Sequence, residues 1–268
     1  VLALLSPLLA LHIENLERLK VNLDEIINIH SNGPLPGMCF LESRLGCCVL
    51  VLQCSLTLPG WPKDCSELPA GSPSGIYIIQ PTGQQTIVVY CEMNREDGGW
   101  TVIQRNHRDT PVSWDESWST YKHGFGNVHT EFWLGTEYMH QITRQKVYQV
   151  RFVIWDASNN MKFADYNLFS LDDESQGYQL RLGAHSGTAE DAVASKGTTT
   201  MHDNMKFSAK DRDQDTSSGN CAASSGGGWW YSACYSVRLN FKGGMTWGNL
   251  CQGSCRASAI LIKPTTYC

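Results

Sequence analysis

Charge is scarce in this sequence: only 18% of its 268 residues are charged, and the net charge is −5. A nucleic-acid binder neutralises phosphates with a basic stripe, and that class is excluded here. The 11 Cys contain no C-x-x-C pair and the 8 His no H-x-x-x-H or HExxH pair. Zinc ribbons, thioredoxin-type sites and zinc hydrolases therefore lack their ligand spacing. Long apolar runs are missing too. Residues 1–11 (VLALLSPLLAL) and the stretch from Cys47 to Leu58, which contains Gln53, both fall short of the length that spans a bilayer. No N-x-S/T sequon occurs, so glycosylation gives no support for secretion. A hydrolase triad from His185, Ser186 and Asp191 is disfavoured, because adjacent residues rarely face one substrate and no nucleophile elbow is present. The chain is expected not to be an enzyme.

What is present is cysteine, tryptophan and glycine, unevenly placed. Cys39, Cys47, Cys48 and Cys54 crowd one stretch, Cys65 and Cys91 bracket a strand-like segment, and Cys221 and Cys234 bracket a Gly/Trp turn. Cys251, Cys255 and Cys268 close the sequence. Pairs that close modest loops read as disulfides made in an oxidising compartment. The odd total leaves at least one thiol free or joined to another chain. Several of the 9 Trp adjoin Gly, as in Gly99-Trp100 and Gly228-Trp229-Trp230, where a large ring can cover a sharply turning backbone.

Three segments follow along the chain. Residues 1–30 begin at Val1, which suggests a fragment or an incomplete gene model. Their apolar start reads either as the core of a secretory signal or as an ordinary apolar helix end. From Leu9 a heptad sets Leu9, Leu16 and Leu23 at one seam position and Ile13, Lys20 and Ile27 at the other. That pattern fits a short oligomerising coiled coil or a plain amphipathic helix. Residues 31–63 mix Pro, Gly, Cys and an apolar run without a period, and read as an irregular linker or as mistranslated intron. Residues 64–268 carry short β-type runs, such as Gly75 to Ile79 and Thr86 to Tyr90, and become loop-rich beyond Asp156. This texture predicts an α+β domain with a central antiparallel sheet and a long irregular functional region.

The sharpest local signal is the run from Asp211 to Cys221, DRDQDTSSGNC. Alternate carboxylates on a tight loop, followed by small residues whose carbonyls can turn inward, supply the hard oxygen ligands that calcium prefers. The Gly and the closing Glu of an EF-hand are not in place. The competing reading is a solvated acidic turn.

That loop also carries a resemblance. The run FSAKDRDQDTSSGNCAASSGGGWWYSAC is similar to the calcium loop and following disulfide of the fibrinogen-related family. Upstream, DCSELPAGSPSGIYIIQP, VVYCEM, GGWTVIQR, GFG, EFWLG, ADY and SGTAEDA match that family in order, from about Asp64 to Pro264. In texture the chain is most like the fibrinogen-like and angiopoietin-like secreted proteins. The resemblance implies a fibrinogen C-terminal-like domain with a twisted antiparallel sheet, preceded by a short helix. It implies one Ca2+ on Asp213, Asp215 and the carbonyls of Ser217 and Gly219, with Asp211 outside the ligand set. It also implies disulfides Cys65–Cys91 and Cys221–Cys234, and a cis peptide at Ala233-Cys234. In lectin-like members a pocket beside that peptide takes acetyl groups or a peptide end. Here its residues would be Trp230, Tyr231, Tyr235 (in place of the usual His) and Trp247. The family's Asn-Gly-x-Tyr segment is absent after Leu239-Asn240, and Gly248 to Cys255 replaces an aromatic stretch, so one pocket wall is missing or rebuilt. The expected function is a secreted, calcium-stabilised recognition module for a glycan or protein receptor. The alternative is an assembly or receptor-clustering protein, homo-oligomeric through the helix or the odd cysteine.

Overall fold

The computed structural model describes residues 60–94, 98–194 and 197–265. The expected helix over residues 1–30, most of the expected linker, and Cys39, Cys47, Cys48, Cys54 and Cys268 lie outside them. Trp61 opens the compact unit that runs to the C-terminus.

Thirteen short strands are described: β1 (Gly75–Ile79), β2 (Ile87–Glu92), β3 (Trp100–His107), β4 (Phe125–Gly126), β5 (Phe132–Trp133), β6 (Tyr148–Trp155), β7 (Met161–Leu171), β8 (Leu180–Leu182), β9 (His185–Gly187), β10 (Val237–Arg238), β11 (Met245–Trp247), β12 (Cys251–Cys255) and β13 (Ala257–Pro264). Ten of them form one sheet with the path β1-β2-β3-β13-β6-β7-β8, to which β4, β5 and β9 attach; β10-β11-β12 form a second. Every named pairing is antiparallel. The expected α+β class with a central antiparallel sheet is what folds. At the sheet's centre β13 pairs with β3 on one side and β6 on the other. Ala259, Ile260, Leu261 and Ile262 are consecutively buried there, because both faces of that strand are covered.

Three α-helices are described: α1 (Trp118–His123), α2 (Thr136–Thr143) and α3 (Cys221–Ser225). Ser117 caps α1 by accepting the Thr120 N–H, and Gly124 ends it at φ +83°. A Cβ at Gly124 would lie 2.2 Å from the Leu134 carbonyl oxygen, so only glycine allows that approach. Asn220 caps α3 through the Ala223 N–H, and Gly226 ends it in the left-handed region.

Aromatic rings hold the long loops down. Trp133 of β5 lies 5.7 Å from Tyr121 of α1, 5.8 Å from Phe207 and 5.9 Å from Trp230, between ring centroids. Phe207 meets Trp230 at 5.3 Å and Trp230 meets Trp229 at 5.0 Å. Motifs far apart in the chain thus converge on one core whose ring contacts add to simple burial. Glycine allows the fit: a Cβ on Gly228 would stand 2.7 Å from the Tyr121 ring.

Disulfides Cys65–Cys91 and Cys221–Cys234 are formed, and Cys251 pairs with Cys255 within β12. The first fastens the chain entry to β2. Beside it Asp64, fully buried, accepts hydrogen bonds from Tyr148 at 2.6 Å and from the Ser66 N–H at 2.8 Å, with Lys146 at 3.3 Å. No cis peptide bond occurs among the described residues. The cis bond expected at Ala233-Cys234 is therefore corrected to trans. The chain bends there, held by hydrogen bonds from the Ala233 N–H to the Thr199 carbonyl and from the Ser232 N–H to that of Cys234. A trans bond is also the favoured state of any non-proline peptide.

Candidate functional site

The second sheet is built where the sequence departs from the family pattern. Gln104 and Asn106 of β3, both buried, anchor it to the main sheet. Asn106 donates to the carbonyls of Leu239 (2.7 Å) and Phe241 (2.8 Å), and Gln104 to the Asn240 side chain (3.1 Å). Asn240 in turn donates to the Gly228 carbonyl at 3.0 Å. The segment after β10 is thereby fixed from below by four polar bonds. Across the β11–β12 hairpin Gly244 approaches so closely that a Cβ there would sit 1.9 Å from the Gly253 carbonyl oxygen. The Cys251–Cys255 bridge then holds β12 in its bulged course.

Against this sheet lies a cavity of about 480 Å³, within the usual range for small-ligand sites. Its lining includes Thr200 and Tyr235 from the loops, Arg238 of β10, Thr246 of β11, Asn249 of the hairpin turn and Gln252 of β12. Hydroxyl, amide and guanidinium groups are in the majority, and no Asp or Glu lines it. Sequence reasoning found only Tyr235 among these residues. The other three expected pocket residues are placed elsewhere: Trp230, Tyr231 and Trp247 are each at most 1% exposed and belong to the core. Their polar atoms are spent internally, Trp230 Nε1 on the Tyr178 carbonyl (2.9 Å), Tyr231 OH on that of Gly227 (2.7 Å) and Trp247 Nε1 on that of Glu190 (3.0 Å). A buried ring with its hydrogen bond already satisfied packs behind a cavity wall and offers nothing to a ligand.

Sequence reasoning also missed His202, the buried brace behind this wall. Its Nδ1 lies 2.7 Å from the Trp230 carbonyl, and its Nε2 accepts from the Val237 N–H (3.0 Å) and the Ser236 N–H (3.2 Å). With Nε2 an acceptor, the ring is neutral and Nδ1 carries the proton. Burial pushes its pKa down to about 4, although the Trp230 carbonyl pulls the other way. A lone His in the run Met201-His202-Asp203 gives no sequence signal of such a role.

The acidic loop lies between the core and α3. Asp211 accepts the Trp118 N–H at 2.6 Å, which ties the loop to the start of α1. Asp215 accepts from the Ser217 N–H and the Cys221 N–H, each at 2.8 Å, and Asp213 accepts from the Asp215 N–H at 3.2 Å. Partial burial raises the Asp215 pKa, the two backbone donors oppose this, and the neighbouring Asp213 carboxylate raises it further. The carbonyls of Ser217 and Gly219 accept no hydrogen bond among the described residues. Among those residues no group of three or more His, Cys, Asp and Glu side chains is arranged to hold a metal. Two facing carboxylates and two free carbonyls are nevertheless an oxygen donor set of the kind calcium takes.

A single large antiparallel sheet, a small second sheet and a disulfide-closed acidic loop define an α+β fold. Residues 61–254 match the family model of the fibrinogen beta and gamma chains, C-terminal globular domain, and the chain belongs to that family. It is 49% identical over 215 residues to a fibrinogen-like protein 1-like protein of Gallus gallus, covering 79% of this chain and 76% of that one. It is 39% identical over 249 residues to human angiopoietin-related protein 2, covering 86% of this chain but only 48% of the relative. Among solved structures, the fibrinogen-like globe domain of human ANGPTL6 is similar with a TM-score of 0.71 at 36% identity, over 80% of this chain and all of that one. A lamprey fibrin D-dimer complexed with the peptide Gly-His-Arg-Pro-amide is similar with a TM-score of 0.71 at 29% identity, over 97% of this chain and 86% of that one. No helix among the described residues is long and apolar enough to cross a membrane.

Proposed function

We propose that this domain is an extracellular, non-enzymatic recognition module that holds a glycan or protein ligand in the cavity beside Tyr235. The cavity itself carries this reading: it is open, lined by hydroxyl, amide and guanidinium side chains, and walled by a hairpin whose strand β12 is pinned by the Cys251–Cys255 bridge. A rigid wall favours binding because less conformational freedom is lost when the ligand arrives. The similar lamprey fibrin D-dimer is complexed with a peptide ligand, which supports a ligand role for this domain. The test is a screen of the full chain on saccharide and receptor-protein arrays, comparing wild type with Gln252→Trp. Gln252 is exposed on the cavity rim, so the indole fills space without disturbing the core. Loss of binding at unchanged melting temperature is expected; unchanged binding would move the working surface elsewhere.

Calcium belongs to the same proposal. Asp213 and Asp215, with the carbonyls of Ser217 and Gly219, would hold one ion. The ion would offset the burial and the smaller Asp213 repulsion that raise Asp215. It would also brace the loop that leads into α3 and the Cys221–Cys234 bridge. A ligand that binds only the folded state at a hundred times its Kd adds about 2.7 kcal/mol. For a domain of this size that is a rise of roughly 5–11 °C in Tm. Asp213→Asn is expected to abolish the rise, and in chelator to melt no lower than wild type because a like charge is gone. Identical wild-type melting curves in chelator and in millimolar calcium would remove calcium from the reading.

A further inference from the structure

Arg238 is the one cationic side chain in the cavity lining. No ion pair or hydrogen bond reaches its side chain from any described residue, and its Nε is buried without an acceptor. Arginine presents five donors in a fixed plane, and a buried donor left unmade is costly. The guanidinium is nonetheless well held. Its carbon lies 3.8 Å from the Phe241 ring centroid and 5.1 Å from that of Tyr235. Ring contacts of this kind fix the plane while leaving the in-plane N–H groups unspent. Glu190, which is fixed to the hairpin, turns its carboxylate to the N–H groups of Asn249 and Leu250. The cavity is thus a local positive site in a chain of net charge −5.

We infer that the cavity binds a carboxylate-bearing saccharide, its carboxylate paired with the guanidinium of Arg238 and its hydroxyls with Thr200, Thr246, Asn249 and Gln252. This rests on the cavity being the ligand site. The planar fork matches a carboxylate in bidentate fashion, which a neutral acetyl group cannot reproduce. The surrounding hydroxyls and amides of Thr200, Thr246, Asn249 and Gln252 can pair with the hydroxyls of a sugar ring.

The experiment is calorimetry on the full chain at low ionic strength with glucuronate, glucose and N-acetylglucosamine, and with a short peptide bearing a free C-terminal carboxylate. Chemical shifts of the Asn and Gln side-chain amides are followed in parallel. Glucuronate is expected to bind at least ten-fold tighter than glucose, to perturb the Asn249 and Gln252 amides, and to weaken as salt rises. Arg238→Gln should erase the ten-fold preference, and Arg238→Lys should keep part of it, because the charge stays while the fork is lost. Melting curves of both variants separate loss of binding from loss of fold. Equal affinity for glucuronate and glucose, or a preference that survives Arg238→Gln, overturns the inference. So does binding of the carboxylate peptide with no binding of glucuronate. N-acetylglucosamine that perturbs the cavity amides independently of Arg238 would leave the cavity as the ligand site and sink only the carboxylate. If no probe perturbs Asn249 or Gln252, the cavity reading falls as well.

Discussion

Trp230→Ala is expected to cost about 3–5 kcal/mol of stability while leaving ligand affinity of the folded protein unchanged. The ring is 1% exposed and touches Trp133, Phe207 and Trp229, and its Nε1 donates to the Tyr178 carbonyl. Its removal takes the contact partner from three other rings at once and leaves a buried carbonyl without its donor. Against a total stability of about 5–15 kcal/mol this is a large share. The corresponding fall in Tm is roughly 6–20 °C. Trp230→Phe should recover much of the loss, since it restores ring burial but not the hydrogen bond. Thermal denaturation measures both variants, and calorimetry well below the lowered Tm reads affinity. A variant that melts like wild type but binds poorly would return Trp230 to the pocket floor where the family resemblance places it.

Acid is expected to loosen the same region through His202. Its folded pKa of about 4 lies below the ordinary histidine value of about 6.5. Between those values the unfolded chain binds a proton that the folded chain refuses, so stability falls as pH falls. The contribution is complete above about pH 6.5 and gone below about pH 4. A gap of some two and a half pKa units corresponds to about 3 kcal/mol. The geometry gives the cause, since a proton on Nε2 would face the Val237 and Ser236 N–H groups that now donate to it. Carboxylates titrate at the acid end too, and burial and Asp213 give Asp215 a raised pKa of opposite sign in effect. The informative quantity is therefore the difference between wild type and His202→Asn. Urea titrations at pH 7, 5.5 and 4 should show the stability gap between them shrinking by about 3 kcal/mol as pH falls. A gap that stays constant over that range would mean that His202 takes up its proton alike in the folded and unfolded chain, with no depressed pKa.

The sheet was legible because strand signals are local. Alternation around Tyr77 and Val89, the Gly and Pro punctuation and the ordered motifs all act over a few residues. The cysteine pairs Cys65–Cys91 and Cys221–Cys234 came through the family resemblance, whereas Cys251–Cys255 depends on the bulged course of β12 and has no spacing rule behind it. The cavity was poorly legible for a physical reason. A Trp or Tyr in a glycine-rich motif reads equally well as a ligand platform or as core. What decides is whether its N–H or O–H finds an internal carbonyl, as Trp230, Tyr231 and Trp247 do. His202 gains its role only from chain segments brought in from elsewhere, Trp230 and Val237. The rings that hold Arg238 are its near neighbours Tyr235 and Phe241, and it is the fold around them that makes the cavity.

The central position of β13 also fixes when this domain can come into being. A ribosome makes β3 and β6 long before Ala257–Pro264, yet those two strands meet only through β13. Until that last strand is available, both nascent strands present unpaired backbone edges, the template on which chains join one another. The pairings that close the sheet are also among the most distant in the chain, which makes for slow folding. The domain is thus finished from its tail, after synthesis of nearly all of it, and a chain cut short before β13 leaves an open seam through the middle of its sheet.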